Sequence, residues 1–289
     1  MDGNDGENRA LEPGLYLVAT PIGNLRDITL RALDALAAAD VIACEDSRVT
    51  AKLLAAHAIA TPMTPYHEHN AARARPRLIR RLKDGGRVAL VSDAGTPLIS
   101  DPGFKLVAAC RENGIGVTVL PGASAPLAAL VLSGLPSDRF LFAGFLPAKP
   151  KARRDRLAAL AEVDATLVLF ESGRRLAAML VDAAEALGSR PAVVCRELTK
   201  LYEEVVPGDL KTLAGRYGNE GPPKGEMVIV IGPPAGGRER VSDAALDRQL
   251  RAALAGDSLR DAVAAVAQAT GLPRRRVYAR ALRLCAEAR

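Results

Sequence analysis

Short apolar runs, each followed by a stretch with a helical repeat, constrain this chain more than any other feature. LYLVAT (15–20) leads through a loop to ITLRALDALAAA (28–39), and DVIACE (40–45) leads to a helix over Ser47–Ala56. TPMTPY (61–66) is followed by a polar loop and a basic helix to Lys83. RVALVS (87–92) precedes a Gly/Pro loop and a helix over Phe104–Glu112, and GVTVLP (116–121) precedes a helix over Ala125–Leu132. Strand-like runs alternating with 3.6-period stretches predict α/β layers.

The theme resumes near Pro136. RFLFAGFLP (139–147), TLVLFES (166–172), PAVVCREL (191–198), LYEEVVPG (201–208) and GEMVIVIG (225–232) read as strands, with helices near 151–162, 174–187 and 209–217 among them. A length of 289 residues suits two compact domains plus an appendage. The expected organisation is a disordered leader (1–13), an N-terminal α/β domain (14–136), a second α/β domain (137–233) and a helical module (240–289). IGPPAGGRE is the Pro/Gly break before that module. Beyond it come helical patterns over Ser242–Leu254, Ser258–Thr270 and Pro273–Ala288, with Ser242 and Ser258 as N-caps and Pro273 in a first turn. Helix, TGLP turn and helix with Arg274, Arg275 and Arg276 at its start resemble a helix-turn-helix, and a plain three-helix bundle is the alternative.

Charge belongs mostly to the tail. The chain carries +6, and Arg238–Arg289 holds eleven Arg against six acidic residues, a net of +5. A basic module on a near-neutral body points to a polyanionic partner. With no Trp and 3% aromatics, binding of single strands chiefly by base stacking is disfavoured. Cys44, Cys110, Cys195 and Cys285 form no CxxC pair, so they read as small apolar residues in a reducing compartment. No apolar run approaches the roughly 20 residues a bilayer requires, and the start MDGNDGENRALEPG is unlike a signal peptide. A cytoplasmic protein with no membrane partner is expected.

Three loops carry the candidate chemistry. ATPIGNL (19–25) joins a strand to a helix but lacks GxGxxG spacing, and no GxxxxGK[ST] loop exists in the chain. SDAGTPLISDPG (92–103) is a rigid Gly/Pro loop whose carboxylates suit a cationic or hydroxyl-rich ligand. LPGASAP (120–126) offers backbone groups and a hydroxyl to the same cleft. In α/β proteins such loops build ligand sites at the carboxyl ends of strands. A metal is not expected, since two Asp without partnering His or Glu make a poor site.

LYLVATPIGNLRDITLRAL, VSDAGTPLISDPG and PGASA resemble three motifs of the tetrapyrrole-methylase superfamily. Within it, CEDSRVTAKLL (44–54), YHEHN (66–70), GFLP (144–147), LVLFES (167–172) and CRELTKLYEE (195–204) are similar to the small-subunit ribosomal RNA 2′-O-methyltransferase I branch. The resemblance runs from about Leu15 to Gly232, and the tail is also of the kind this branch carries. It implies two α/β domains with S-adenosylmethionine in the cleft between them, and a homodimer. The activity it implies is methylation of a cytidine 2′-oxygen in 16S ribosomal RNA or the assembling 30S subunit. By that resemblance Ile22, Asp93, Gly95, Thr96, Ser124 and Ala125 bind the cofactor, with Phe170, Glu171 and Met227 as candidates from the second domain.

A hydroxyl nucleophile benefits from a proton acceptor. His67, His69 and Glu45 are the candidates, with Asp46 beside Glu45. Arg26, Arg48, Lys149, Lys151, Arg153, Arg154, Arg174, Arg175, Arg196 and Lys200 lie in or beside these loops and are candidates for RNA phosphates, as are Arg274, Arg275 and Arg276 in the tail. Two other readings stay open: a precorrin-type tetrapyrrole methylase, and a non-catalytic nucleic-acid-binding sensor of S-adenosylmethionine.

Overall fold

The structure is a computed structural model and describes residues 11–100, 103–234, 243–270 and 274–287. Two compact units result: the first runs to Ala161 and from Ala165 to Gly232, and the second takes Glu162–Asp164 and the chain from Pro233 on. Of the leader expected over 1–13, residues 1–10 lie outside the described residues. Leu11 packs against a buried cluster, and the Glu12 carbonyl accepts a 2.6 Å hydrogen bond from the Tyr16 hydroxyl.

The first unit opens with β1 (Gly14–Val18), α1 (Leu30–Ala38), β2 (Val41–Cys44), α2 (Ser47–Ala56), β3 (Met63–Pro65), α3 (Ala71–Lys83), β4 (Arg87–Val91), α4 (Phe104–Glu112), β5 (Val117–Leu120) and α5 (Ala125–Ser133). Its strands lie in the order β3-β2-β4-β1-β5, all parallel. Alternate residues of a strand face opposite ways, and the cores follow that rule. Tyr16, Val18, Ile42, Cys44, Ala89 and Val91 join Ala32, Ala35 and Leu36 of α1. Leu15, Val41, Ala43, Val88 and Leu90 join Leu78 and Leu82 of α3 and Leu106 and Cys110 of α4 on the other face. Both faces are covered, which explains why these strands read as continuous apolar runs. The helix expected from residue 28 starts at Leu30, because the Thr29 hydroxyl accepts from the Ala32 N–H at 3.2 Å and caps it.

The second sheet uses β6 (Phe140–Phe145), β7 (Thr166–Ser172), β8 (Pro191–Arg196), β9 (Glu204–Asp209) and β10 (Glu226–Ile231), in the order β6-β7-β10-β8-β9. Only β6 and β7 run parallel; β10 is antiparallel to both β7 and β8, and β8 to β9. α6 (Pro150–Leu160), α7 (Gly173–Leu187) and α8 (Leu210–Glu220) accompany it. The strand expected at 201–208 begins only at Glu204. Leu201 and Tyr202 are exposed in a turn closed by Lys200 N–H to the Glu197 carbonyl and Glu203 N–H to the Lys200 carbonyl. α5 leaves the first sheet and packs on the second: Ala129 and Leu130 bury against Val168, Val193, Cys195, Val228 and Val230, with Ile22 in the same cluster. This shared helix joins the two α/β halves into one unit.

The second unit consists of α9 (Asp243–Leu254), α10 (Leu259–Thr270) and α11 (Arg274–Glu287). Leu246, Leu250, Val263, Val266, Val277, Ala281 and Leu284 form its own core, and Arg280 grips Asp247 through two hydrogen bonds of 2.6 and 2.7 Å. The Ser258 hydroxyl accepts from the Asp261 N–H at the start of α10. Ser242, the TGLP residues 271–273 and most of the IGPPAGGRE linker lie outside the described residues. Among the described residues, no helix is long and apolar enough to cross a membrane.

Candidate functional site

In the order β3-β2-β4-β1-β5, β1 and β4 flank the point where successive connections depart in opposite directions. Open parallel sheets place ligands beyond the carboxyl ends of the strands at such a point. Here the loops after β1 and β4 are tied together. Thr20 and Gly95 exchange backbone hydrogen bonds of 2.9 and 3.0 Å, and the Thr20 hydroxyl donates to the Ser92 carbonyl at 3.1 Å. Gly95 has a φ of +82°, and a Cβ there would stand 3.3 Å from Ile22 Cγ2. Glycine therefore fits both the backbone and the space. Leu98 and Ser100 of the same loop also have positive φ, at 73° and 68°, a conformation that non-glycine residues hold only under local constraint. Asp101 and Pro102 lie outside the described residues.

Beyond these strand ends lies a cavity of about 460 Å³, within the usual range for small-molecule sites. Every residue expected at a cofactor lines it: Ile22, Asp93, Gly95, Thr96, Ser124, Ala125, Phe170, Glu171 and Met227. The antiparallel register explains the second half's share. Met227 pairs with Glu171 and Glu226 with Ser172, so the start of β10 meets the end of β7 at the cavity. Gly225, Glu226, Val228, Leu198 and Phe145 join the wall. Sequence reading missed them because an apolar run does not announce strand direction. Phe145 stands 5.3 Å from the Phe170 ring, itself 5.0 Å from Phe142.

Two carboxylates give the cavity its polarity. Glu171 is 2% exposed; its Oε1 accepts from the Ser172 N–H at 2.8 Å and pairs with Arg175, while Oε2 has no partner. Asp93 Oδ1 accepts from the Asp46 N–H at 2.9 Å. Burial pushes the Asp93 carboxyl above its usual range, and the nearby Asp46 charge adds to this. Asp46 itself caps α2 and is held down to about 2, first by hydrogen bonds from the Arg48 side chain. Among the described residues no group of three His, Cys, Asp or Glu could hold a metal ion. Cys44, Cys110 and Cys195 are buried, and burial raises the last two thiols to about 11.

The candidate proton acceptors separate. Glu45 lines the cavity, whereas His67 and His69 do not. Strand order is the reason: β2 is the neighbour of β4, but β3 is the sheet edge, about 10 Å from β4 at ordinary strand spacing. The His67 and His69 rings lie 6.1 Å apart in a loop where the Asn70 side chain accepts from the His67 N–H.

The candidate phosphate ligands also divide. Arg26, Lys149, Arg154 and Arg174 are exposed, as are Arg48 and Lys151 despite their pairing with Asp46 and Asp155. Arg153 is a correction. It shares the inward phase of α6 with Leu157 and Leu160, is 5% exposed, and donates to Asp182 at 2.6 Å. Arg196 is paired with Glu204, and Lys200 bridges Glu197 and Glu226, so both are engaged internally. Arg175 donates to the Leu146 carbonyl and pairs with Glu171. In the second unit Arg274 and Arg275 are exposed, and the side chain of Arg276 lies outside the described residues.

Comparison with known proteins agrees with this architecture. Residues 14–214 match the tetrapyrrole (corrin/porphyrin) methylases, and residues 240–284 match the RsmI C-terminal HTH domain. Ribosomal RNA small subunit methyltransferase I of Mesorhizobium japonicum is 53% identical over 277 residues, covering 96% of this chain and 94% of the relative. The protein of the same name from Erythrobacter litoralis is 50% identical, covering 97% and 99%. Among solved structures, uroporphyrin-III-C-methyltransferase from Thermus thermophilus superposes with a TM-score of 0.55 at 26% identity, covering 76% of this chain and 94% of that one. A conserved hypothetical protein from Aeropyrum pernix superposes with a TM-score of 0.61 at 19% identity, covering 96% and 98%, a likeness of fold. With these relatives matched along almost its whole length, the chain belongs to the ribosomal RNA small subunit methyltransferase I family of the tetrapyrrole methylases.

Proposed function

We propose that the chain transfers a methyl group from S-adenosylmethionine to the ribose 2′-oxygen of a cytidine in small-subunit ribosomal RNA. One observation carries the reading: loops from both sheets converge on a single cavity walled by Asp93, Glu171, Ile22, Phe170 and Met227. The residues fit the donor. Apolar side chains suit its adenine and thioether portions, Gly95 permits close backbone approach, and the carboxylates suit its hydroxyls and cationic groups. The unpartnered Glu171 Oε2 leaves one buried acceptor for such a group.

When bound, S-adenosylmethionine supplies a methyl group already activated on a sulfonium. The protein then has to align the acceptor and keep water away. The Thr20–Gly95 tie and the Asp46 N–H on Asp93 fix the loops that form the cavity. Glu45, at the end of β2, is the residue we assign to accept the proton as the 2′-oxygen takes the methyl group. Replacing Glu45→Gln should lower kcat about 100-fold with donor affinity unchanged, and a loss below about threefold would remove that role.

The test of the activity uses purified protein, labelled S-adenosylmethionine and small subunits lacking the modification. Label should appear at one cytidine and resist alkaline cleavage there, as a 2′-O-methyl group does. Absence of label would overturn the reading and favour a non-catalytic sensor. The work of the enzyme then belongs in the cytoplasm, with ribosome assembly. A homodimer is part of the proposal: Leu127, Val131 and Leu132 of α5 stay exposed beside a helix otherwise built into the core, and a second copy would cover them. Light scattering at twice the chain mass checks this.

A further inference from the structure

Several cations of the first unit are matched by acids: Arg48 with Asp46, Arg153 with Asp182, Arg196 with Glu204, and Lys200 with Glu197 and Glu226. On α3 the balance reverses. Its sequence, AARARPRLIRRLK, holds six cations and no acid. Arg75 turns to the Tyr66 hydroxyl, and Arg81 reaches the Asp40 carbonyl at 3.4 Å. Arg73, Arg77, Arg80 and Lys83 are exposed, and none has an ion pair or side-chain hydrogen bond with any described residue.

Their arrangement is costly to the helix itself. Arg73, Arg77 and Arg80 follow i, i+4, i+7 spacing and share one face, opposite the buried Leu78 and Leu82. Like charges at that spacing repel. The helix dipole favours Arg80 and Lys83 near the carboxyl end but disfavours Arg73 in the first turn. A stripe that weakens its own helix and has no internal counter-charge points to an external polyanion. α3 also follows directly from the loop after β3, so its first turn lies at the same end of the sheet as the cavity, and Arg73 to Lys83 spans about 15 Å.

We propose that the outer face of α3 is a docking strip for the phosphates of the RNA substrate, distinct from the cationic residues beside the cavity. The proposal rests on the RNA-methylating reading above and extends it to a surface. The stripe contains no aromatic side chain, so it engages backbone phosphate and does so independently of sequence. Its large apolar residues Leu78 and Leu82 point inward, which leaves a lipid surface little to bury.

The experiment compares the full chain with a variant carrying Arg73→Gln, Arg77→Gln, Arg80→Gln and Lys83→Gln, and with one carrying Arg73→Lys, Arg77→Lys and Arg80→Lys. Binding to unmodified small subunits is measured without donor across a salt series, and kcat and KM are measured with donor. For the Gln variant, affinity should fall and KM rise by at least about tenfold, with the salt slope shallower by about three. kcat should stay within about twofold, and the Lys variant should bind within about threefold of the original chain, since point charge suffices for phosphate. Removing like-charge repulsion should leave the melting temperature equal or higher, which separates the effect from misfolding. Unchanged affinity and slope overturn the strip. So does a loss seen with whole subunits but absent with protein-free ribosomal RNA, which would assign the face to an acidic protein. If the original chain binds subunits yet never methylates them, the activity reading fails while the salt slopes still decide the strip.

Discussion

Asp93 shows how a single carboxylate can cost stability where it serves the site. Its Oδ1 is held by the Asp46 N–H, yet burial outweighs that bond and raises the carboxyl above its usual range. The folded chain therefore binds this proton more tightly than the unfolded chain does. Stability associated with it is present below the unfolded value, about 3.9, and is lost as pH rises through the folded one. Asp93→Asn keeps an acceptor for the Asp46 N–H and removes the charge. Its melting temperature should exceed that of the original chain at pH 7, and the difference should close below about pH 4. Donor affinity should fall in the same variant, as measured by calorimetry. A variant that melts lower at pH 7 and equally below about pH 4 would show that the ionised carboxylate is stabilised after all.

At the level of elements, helix phase and strand direction decided which residues could be read from sequence. The loops after β1, β4 and β5 were legible because Gly/Pro-rich segments follow apolar runs in a parallel α/β pattern, and Asp93, Gly95 and Ser124 sit in them. Glu226 and Leu198 were not legible, since their place depends on β10 running antiparallel to β7 and β8. His67 and His69 looked equivalent to Glu45 until strand order set β3 at the edge. Arg153 was readable in principle: 153, 157 and 160 are one helical face, but its charge drew it to the surface. The Arg153 and Asp182 side chains are 7% and 9% exposed, so their bond locks α6 to α7 inside the protein. Asp182→Ala strands a buried guanidinium and should cost about 3–5 kcal/mol in urea unfolding. Arg153→Met should cost less, because Arg154, 3.5 Å from the same carboxylate, can take over. A paired change to Met and Leu should recover most of the loss. Equal losses in all three variants would mean that packing volume, not the ion pair, sets the cost.

At the scale of the molecule, the chain divides into two units of different make-up. The first unit has cores on both faces of its parallel sheet, a further core where α5 packs on the second sheet, and the described cavity lining. The second has its own small core and exposes Arg274 and Arg275. Among the described residues, none beyond Gly232 lines the cavity, so donor binding and substrate retention are expected to be separable properties of one chain. A chain ended after Gly232 should fold, with β10 complete and the Gly232 N–H still bonded to the Pro191 carbonyl. Its affinity for S-adenosylmethionine should stay within about twofold, while KM for small subunits rises by about tenfold or more. The salt slope of binding should also fall, by close to one unit for each phosphate that the shortened chain leaves unneutralised. Unchanged KM and slope would strip the helical module of any RNA role. Loss of donor affinity would instead show that the second unit supports the cavity. If the slope falls as expected, the cationic tail adds affinity for any RNA, as the α3 strip does, and the cavity and the loops beside it are left to decide where on that RNA the methyl group goes.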